Sequence, residues 1–173
     1  AGAHCFSASC NYHKHGDDDD MELTIAATTK PSRLSMGGVV AAIPQRRLSQ
    51  DTCQRYGVTV EYSTTGEIIR HHYPYYNLST NEVASAKVRE VKTKNFHTSG
   101  DTTGVGFFGQ HQCKTNKYIT VCEGELDAMA VYEMSGKQWD VVSLRSGASS
   151  AAKEVKEQLE WLESYGTVVL CFD

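Results

Sequence analysis

Residues Tyr118–Asp127 read YITVCEGELD, and the assignment of the fold turns on them. Tyr118–Cys122 is a short run of apolar and β-branched residues, the composition of a strand. It delivers a carboxylate, Glu123, directly before Gly124, and two further acids, Glu125 and Asp127, open a helical pattern that runs to about Ser135. A strand ending in an acid, a glycine turn and an acidic helix start put charge at the carboxyl edge of a sheet. Open α/β sheets take their ligands there. A second apolar strand, Thr167–Phe172, ends on Asp173. Side by side, the two strands would bring Glu123 and Asp173 to one crevice, where they would share a divalent cation. This predicts a metal-dependent phosphoryl-transfer site, with the chain cut partway through it.

Between these strands the pattern is regular. A strand is predicted at 140–144, a Gly/Ser turn at 145–150 and a helix at about 151–164. Leu126, Met129, Ala130 and Met134 are assigned to one face of the first helix, and Val155, Leu159 and Leu162 to one face of the second. The order βαβαβ predicts a parallel sheet covered by helices. The turn Arg145–Ser150, RSGASS, precedes a helix start and offers backbone N–H groups to an anion, with Arg145 and Ser146 as candidate nucleotide contacts.

Upstream the charge changes sign. Residues 85–117 carry six basic and two acidic side chains, whereas 118–173 carry four and ten. A basic segment suits a nucleic-acid backbone and clustered acids suit metal ions. Within the basic segment Lys87 and Arg89 share a strand face by period-two spacing, and Lys92 and Lys94 share a face of the following turn or strand. With Tyr75, Tyr76 and Phe96 nearby, this ridge is a candidate for holding phosphates. GVGFFG at 104–109 matches G-x-G-x-x-G formally, but neither a strand before it nor an amphipathic helix after it is present. It reads as a turn into an aromatic-packed segment. His71 and His72 alternate faces of a strand and read as structural or solvent-facing, not as metal ligands.

Earlier still, Ser49 is a good N-cap, Asp51 suits a helix dipole and Gly57 suits the residue after a helix, which places one short helix in 33–57. Strands follow from Val58. Asp17–Asp20 and the polar stretch after it read as a linker. Residues 1–15 are rich in Cys and His, and Cys5 and Cys10 flank a four-residue loop compatible with one knuckle of a zinc ribbon.

The whole chain has 173 residues and a net charge of −4, enough for one domain or slightly more. No apolar run reaches the roughly 18–20 residues of a membrane span. Its six cysteines do not form a disulfide pattern, and Cys122 and Cys171 sit inside apolar strands, which predicts an intracellular protein. Both ends are expected to be truncations.

VCEGELDAMAVYEM, VVSLRSGASSAAK and VVLCFD together resemble a TOPRIM domain, the metal-binding fold shared by bacterial-type primases, topoisomerases, some nucleases and recombination mediators. More specifically, RLSQDTCQRYGV, KVREVKTKNF, FFGQH and EGELD resemble, in order, the primase half of phage primase-helicases, a group related to the mitochondrial helicase Twinkle. HCFSASC resembles the second knuckle of that family's zinc-binding domain, although Cys5 and Cys10 stand four residues apart and not two.

The resemblance implies an α/β fold with the following parts. Residues 1–15 would end a zinc ribbon, 16–32 would be a linker, and 33–117 would be a mixed strand/helix subdomain of the polymerase core. Residues 118–173 would be a TOPRIM parallel sheet with helices on both faces, truncated at its Asp-x-Asp motif. It implies a DNA primase that makes RNA primers on single-stranded DNA from ribonucleoside triphosphates, in the host cytoplasm with replisome proteins and no membrane. Glu123 and Asp173 would be catalytic and would bind magnesium or manganese, supported by Glu125 and Asp127. Cys5 and Cys10 would bind zinc, and Lys87, Arg89, Lys92 and Lys94 would hold template or nucleotide phosphates. With the second aspartate absent, the chain by itself is expected to be inactive. The alternatives are a non-catalytic recombination mediator and a TOPRIM nuclease.

Overall fold

A computed structural model describes residues 32–114 and 117–172, together with the backbone of two short strands near the start. Those strands, β1 (Ala3–His4) and β2 (His13–Lys14), pair antiparallel with His4 opposite His13. They belong to a unit spanning Ala1–Lys30, distinct from the unit spanning Pro31–Asp173. Cys5, Cys10 and Asp173 lie outside the described residues.

The larger unit starts with a tight turn at Pro44–Arg46 and α1 (Gln50–Tyr56). Ser49 caps α1 by accepting from the Thr52 N–H, and Gly57 closes it in the left-handed region at φ 70°. Four antiparallel strands follow in sequence order: β3 (Thr59–Tyr62), β4 (Ile68–Tyr76), β5 (Val83–Glu90) and β6 (Phe96–Gly100).

The second sheet is parallel, with β7 (Tyr118–Cys122) between β8 (Asp140–Ser143) and β9 (Thr167–Cys171). Alternation along these strands divides the core. Cys122 and Val141 pack with Ala128, Met129 and Tyr132 of α2 (Glu125–Met134), and with Tyr56, Tyr73 and Phe108 from upstream. Ile119, Val121, Val142 and Leu144 pack on the other face against Leu162 and Tyr165. Helices therefore cover both faces, as expected. The two sheets share one core: Tyr56 donates its hydroxyl to the Val141 carbonyl at 2.8 Å, and Phe108 pairs by backbone with Ser143 on the outer edge of β8. GVGFFG is the turn that delivers this segment, with Phe108 stacked on Tyr56 at 5.2 Å and Phe107 packed against Trp161 at 6.0 Å.

Two expectations are corrected. The face that α2 buries is Glu125, Ala128, Met129 and Tyr132, and Met134 is 80% exposed. The helix is turned by about one position because Lys87 and Tyr75 draw the Glu125 carboxylate inward. The helix expected over 151–164 is two short ones, α3 (Ala151–Glu157) and α4 (Leu159–Glu163), which leaves Leu159 exposed. Gln158 breaks the run with non-helical backbone and accepts a bond from the Gln110 side chain at 2.9 Å. Lys92 and Lys94 lie in the β5–β6 turn, one of the two placements expected for them, and Lys94 takes φ 60° there.

Glu133 ties α2 to the start of α1. The Ser49 N–H and hydroxyl both donate to its carboxylate, at 2.7 and 2.5 Å, and the Lys137 ammonium lies 3.7 Å away. Burial opposes its charge, but the bonds from Ser49 and Thr52 and the nearby Lys137 win and hold it down from 4.5 to about 2. A depressed carboxylate contributes stability above its ordinary titration range and loses it as pH falls. Glu133→Gln is expected to cost on the order of 1–2 kcal/mol at pH 7, after allowance for solvent screening. The gap to the wild type should close between pH 4.5 and about 2, read by denaturant unfolding across that range. A gap that does not change with pH would contradict this assignment.

Candidate active-site cleft

Glu123 stands at the carboxyl end of β7, the central strand of the parallel sheet. Parallel pairing sets Cys122 beside Cys171, so β9 runs out at the same edge. Gly124 turns the chain into α2 in extended backbone, and a side chain there would press on the Asp127 carboxylate at 3.0 Å. Gly147, at φ 72° in the loop after β8, comes against the Glu123 carboxylate: a Cβ on it would lie 3.6 Å from Oε1. Among the described residues the Glu123 carboxylate, half-buried, makes no hydrogen bond or ion pair.

Glu125 has a different position. It is 4% exposed, and its Oε1 accepts from the Tyr75 hydroxyl at 2.5 Å and from Lys87 Nζ at 2.7 Å. Burial first, and then the Glu125 charge, push Tyr75 well above the ordinary range of a tyrosine, so it stays a donor. Lys87 also donates to the Arg145 carbonyl at 2.9 Å and sits 4.9 Å from the Phe96 ring centre. One lysine on the middle of β5 therefore links the antiparallel sheet to the loop after β8 and to the start of α2. Tyr75, expected beside a basic ridge, is instead buried in the core, while Phe96 is 51% exposed. Asp127 is exposed on the first turn of α2.

The RSGASS turn differs from expectation in one respect. Its N–H groups do converge, but the protein supplies their anion. Arg145 N–H and Ser146 N–H donate to the two oxygens of Glu154, at 2.6 and 3.0 Å. Glu154 is 2% exposed. The Arg145 guanidinium is held by Glu154, by Glu157 and by the Val105 carbonyl. Arg145 and Ser146 thus shape the loop through an internal carboxylate.

Between the antiparallel sheet and the loop and helix that follow β8 lies a cleft of about 550 Å³ whose walls include Lys87, Thr98, Thr103, Arg145 and Lys153. The Ser85 hydroxyl lies in this wall, buried and, among the described residues, without a hydrogen-bond partner. Natural structures rarely leave such a group unsatisfied, and a polar ligand in the cleft would complete it. The remaining ridge residue, Arg89, faces a separate small pocket with Lys94. His71 and His72 are both buried and act within the core. His71 meets the Tyr73 hydroxyl at 3.1 Å, and His72 meets Glu61 at 2.9 Å.

The Tyr75–Lys87–Glu125 cluster was not foreseen from sequence. Its partners are 12 and 50 residues apart on three elements, and only the period-two placement of Tyr75 and Lys87 in their strands hints at it. The role of Glu154 was missed because a carboxylate in a helix pattern reads as surface.

Comparison with known proteins fits this geometry. Residues 120–173 match the Toprim-like family. The chain is 32% identical over 138 residues to the DNA helicase/primase of Enterobacteria phage T3, covering 79% of this chain and 23% of that protein. Its structure superposes on the primase fragment of the bacteriophage T7 primase-helicase with a TM-score of 0.74 and 30% identity, covering 85% of this chain and 62% of that one. It also superposes on the structure of T7 lagging-strand DNA polymerase with primase domains, an RNA/DNA hybrid and dTTP. There the TM-score is 0.69 and the identity 33%, over 79% of this chain and 67% of that one. The chain thus spans about a quarter of the T3 protein and under two thirds of the T7 fragment. Order of motifs, parallel sheet and overall superposition agree, and the chain belongs to the family of phage primase-helicase primase domains.

Proposed function

We propose that this chain is part of a DNA primase that joins ribonucleotides into short primers on a single-stranded DNA template. The observation that carries the reading is the placement of Glu123: a carboxylate without a partner among the described residues, at the carboxyl end of the central parallel strand and against Gly147 of the loop after β8, the loop whose Arg145 and Ser146 line the cleft.

Magnesium fits the donor present. It keeps several waters and takes only one or two carboxylates along with substrate phosphates, so Glu123 with Asp173 would suffice to hold it. When bound, it would stabilise the attacking and leaving oxygens of an in-line displacement at an α-phosphate. The chain's own residues do the rest. Glu123 presents oxygen donors at a fixed strand end. Lys87, pinned by Glu125 and the Arg145 carbonyl, holds positive charge at the cleft wall without a flexible search. The Ser85 hydroxyl, without a partner among the described residues, would bond a substrate oxygen. Asp127, on the exposed first turn of α2, would support the metal from the rim. Phe96, exposed beside Lys87, Arg89 and the β5–β6 turn with Lys92, offers a face for a base to stack on.

A zinc site at Cys5 and Cys10 would read the template, and rests on the resemblance of HCFSASC alone. Ribonucleoside triphosphates and replisome proteins would be the partners, in the cytoplasm of the infected cell. Among the described residues no helix is long and apolar enough to cross a membrane.

The test is template-dependent synthesis. The full-length protein carrying this chain is supplied with magnesium, ribonucleoside triphosphates and single-stranded DNA, and short RNA products are resolved by gel. DNA binding without any product would favour a non-catalytic mediator; cleaved DNA would favour a nuclease.

A further inference from the structure

We propose that Cys122 and Cys171 form an oxidation site, a dithiol that a peroxide closes into a reversible disulfide at the carboxyl edge of the parallel sheet. The site stands on the geometry of the two strands; its effect on synthesis rests on the primase reading.

β7 and β9 pair in parallel register with Cys122 directly beside Cys171. Side chains level with one another in such a pair point to the same face of the sheet. For Cys122 that is the face where it packs with Ala128 and Met129 of α2. The two thiols are in hydrogen-bonding contact. Neighbouring strands run about 4.7–4.9 Å apart, inside the roughly 4.4–6.8 Å that separates the Cα atoms of bridged cysteines. The backbone thus already holds the pair at bridging distance. Of the other described cysteines, Cys53 is sealed in the core and Cys113 donates its thiol to the Gly109 carbonyl at 3.5 Å.

The two thiols differ in access. Cys122 is fully buried, whereas Cys171 is exposed on the edge strand of the described sheet. Burial first, and then the neighbouring Cys171 thiol, push Cys122 up to about 12, so it does not react first. A peroxide therefore meets Cys171. The Cys171 sulfur takes one peroxide oxygen, the O–O bond breaks, and the thiol proton leaves with the other oxygen as water, giving a sulfenic acid. The Cys122 sulfur then attacks the Cys171 sulfur. The S–S bond forms, and the hydroxyl leaves with the Cys122 proton as a second water. Two thiols lose two electrons and one peroxide becomes two waters. A dithiol reductant reverses the bridge by exchange and is itself oxidised to a disulfide.

The position gives the bridge a consequence. Glu123 follows Cys122, and Asp173 stands two residues past Cys171 in sequence. Bonded sulfurs lie about 2.05 Å apart, well inside non-bonded contact. Closing the bridge draws the two strand ends together next to the carboxylates that would hold magnesium. A misplacement of about 1 Å at a reacting centre costs on the order of 10²-fold in rate. In a reducing cytoplasm disulfides are transient and redox-sensing. The bridge is an off state, entered under oxidant and left when reductant returns.

The experiment uses the full-length protein that carries this chain. Reduced protein is treated with hydrogen peroxide, its free thiols are blocked, and a digest without reductant is mapped by mass spectrometry. Primer synthesis is measured before treatment, after it, and after dithiothreitol. The variant is Cys171→Ser, at an exposed position whose side chain has no part in the chemistry. The expected result is a peptide pair joining Cys122 to Cys171, with synthesis lowered on the order of 10²-fold and restored by dithiothreitol. Cys171→Ser should form no such link and keep its synthesis through the same treatment. Absence of the linked peptide from the wild type would overturn the site, whatever synthesis does. Equal loss of synthesis in the wild type and Cys171→Ser would overturn the bridge as an off state. A linked peptide in a protein that makes no primers even when reduced would uphold the site and sink the primase reading.

Discussion

Glu123→Gln in the full-length protein is expected to abolish primer synthesis while leaving the fold and DNA binding unchanged. The substitution keeps the size and the hydrogen-bonding reach of the side chain but removes the charge. Among the described residues the carboxylate makes no contact that the fold depends on, so no stability is at stake. The effect should fall on the chemical step. A loss on the order of 10²–10⁴ in rate matches removal of a group that acts on the reacting atoms. The measurement is single-turnover primer formation at saturating magnesium, with thermal unfolding as the control. Retained synthesis within a few-fold of the wild type would remove Glu123 from the centre of the site.

Lys87→Met carries the second large effect, and here stability and activity must be separated. Lys87 and Glu125 form a pair at 2.7 Å in which Glu125 is nearly sealed from solvent. Removing one partner leaves a buried charge, which costs about 3–5 kcal/mol. Lys87→Met alone is therefore expected to lower stability strongly, as read by denaturant unfolding. Adding Glu125→Gln removes the stranded charge and still accepts the Tyr75 hydroxyl, so most of the stability should return. Primer synthesis should not return if Lys87 works on substrate phosphates. A double variant as active as the wild type would make Lys87 a structural residue only.

The C-terminal half of the fold was the most legible part of the sequence, for a physical reason. Tyr118–Cys122 and Asp140–Ser143 are short runs largely buried by helices, Thr167–Cys171 is an apolar run that pairs beside them, and their spacing leaves room only for crossover helices. Ser49 and Gly57 marked α1 because capping is local chemistry. What the sequence concealed was nonlocal. Glu125 reads as a dipole-matching acid on a helix start, and nothing near it in sequence shows that Lys87 and Tyr75 reach it from the other sheet. Glu154 likewise reads as a surface acid, yet it fills the cradle that RSGASS offered to a ligand. Charge spacing along one strand showed a ridge, and only folding divided that ridge between a cleft and a pocket.

The backbone pairing of Phe108 with Ser143 bears on how such proteins can recombine. The segment that guards the outer edge of the parallel sheet precedes that sheet in the chain, and Tyr56 reaches still farther back to the Val141 carbonyl. A crossover placed just before Tyr118 would hand the recipient a sheet with one bare edge and a hole where two aromatic rings belong. Exchange of this module between related phages is therefore constrained to carry the GVGFFG turn along with it, and a hybrid that replaces the turn must also replace the aromatic partners on α1.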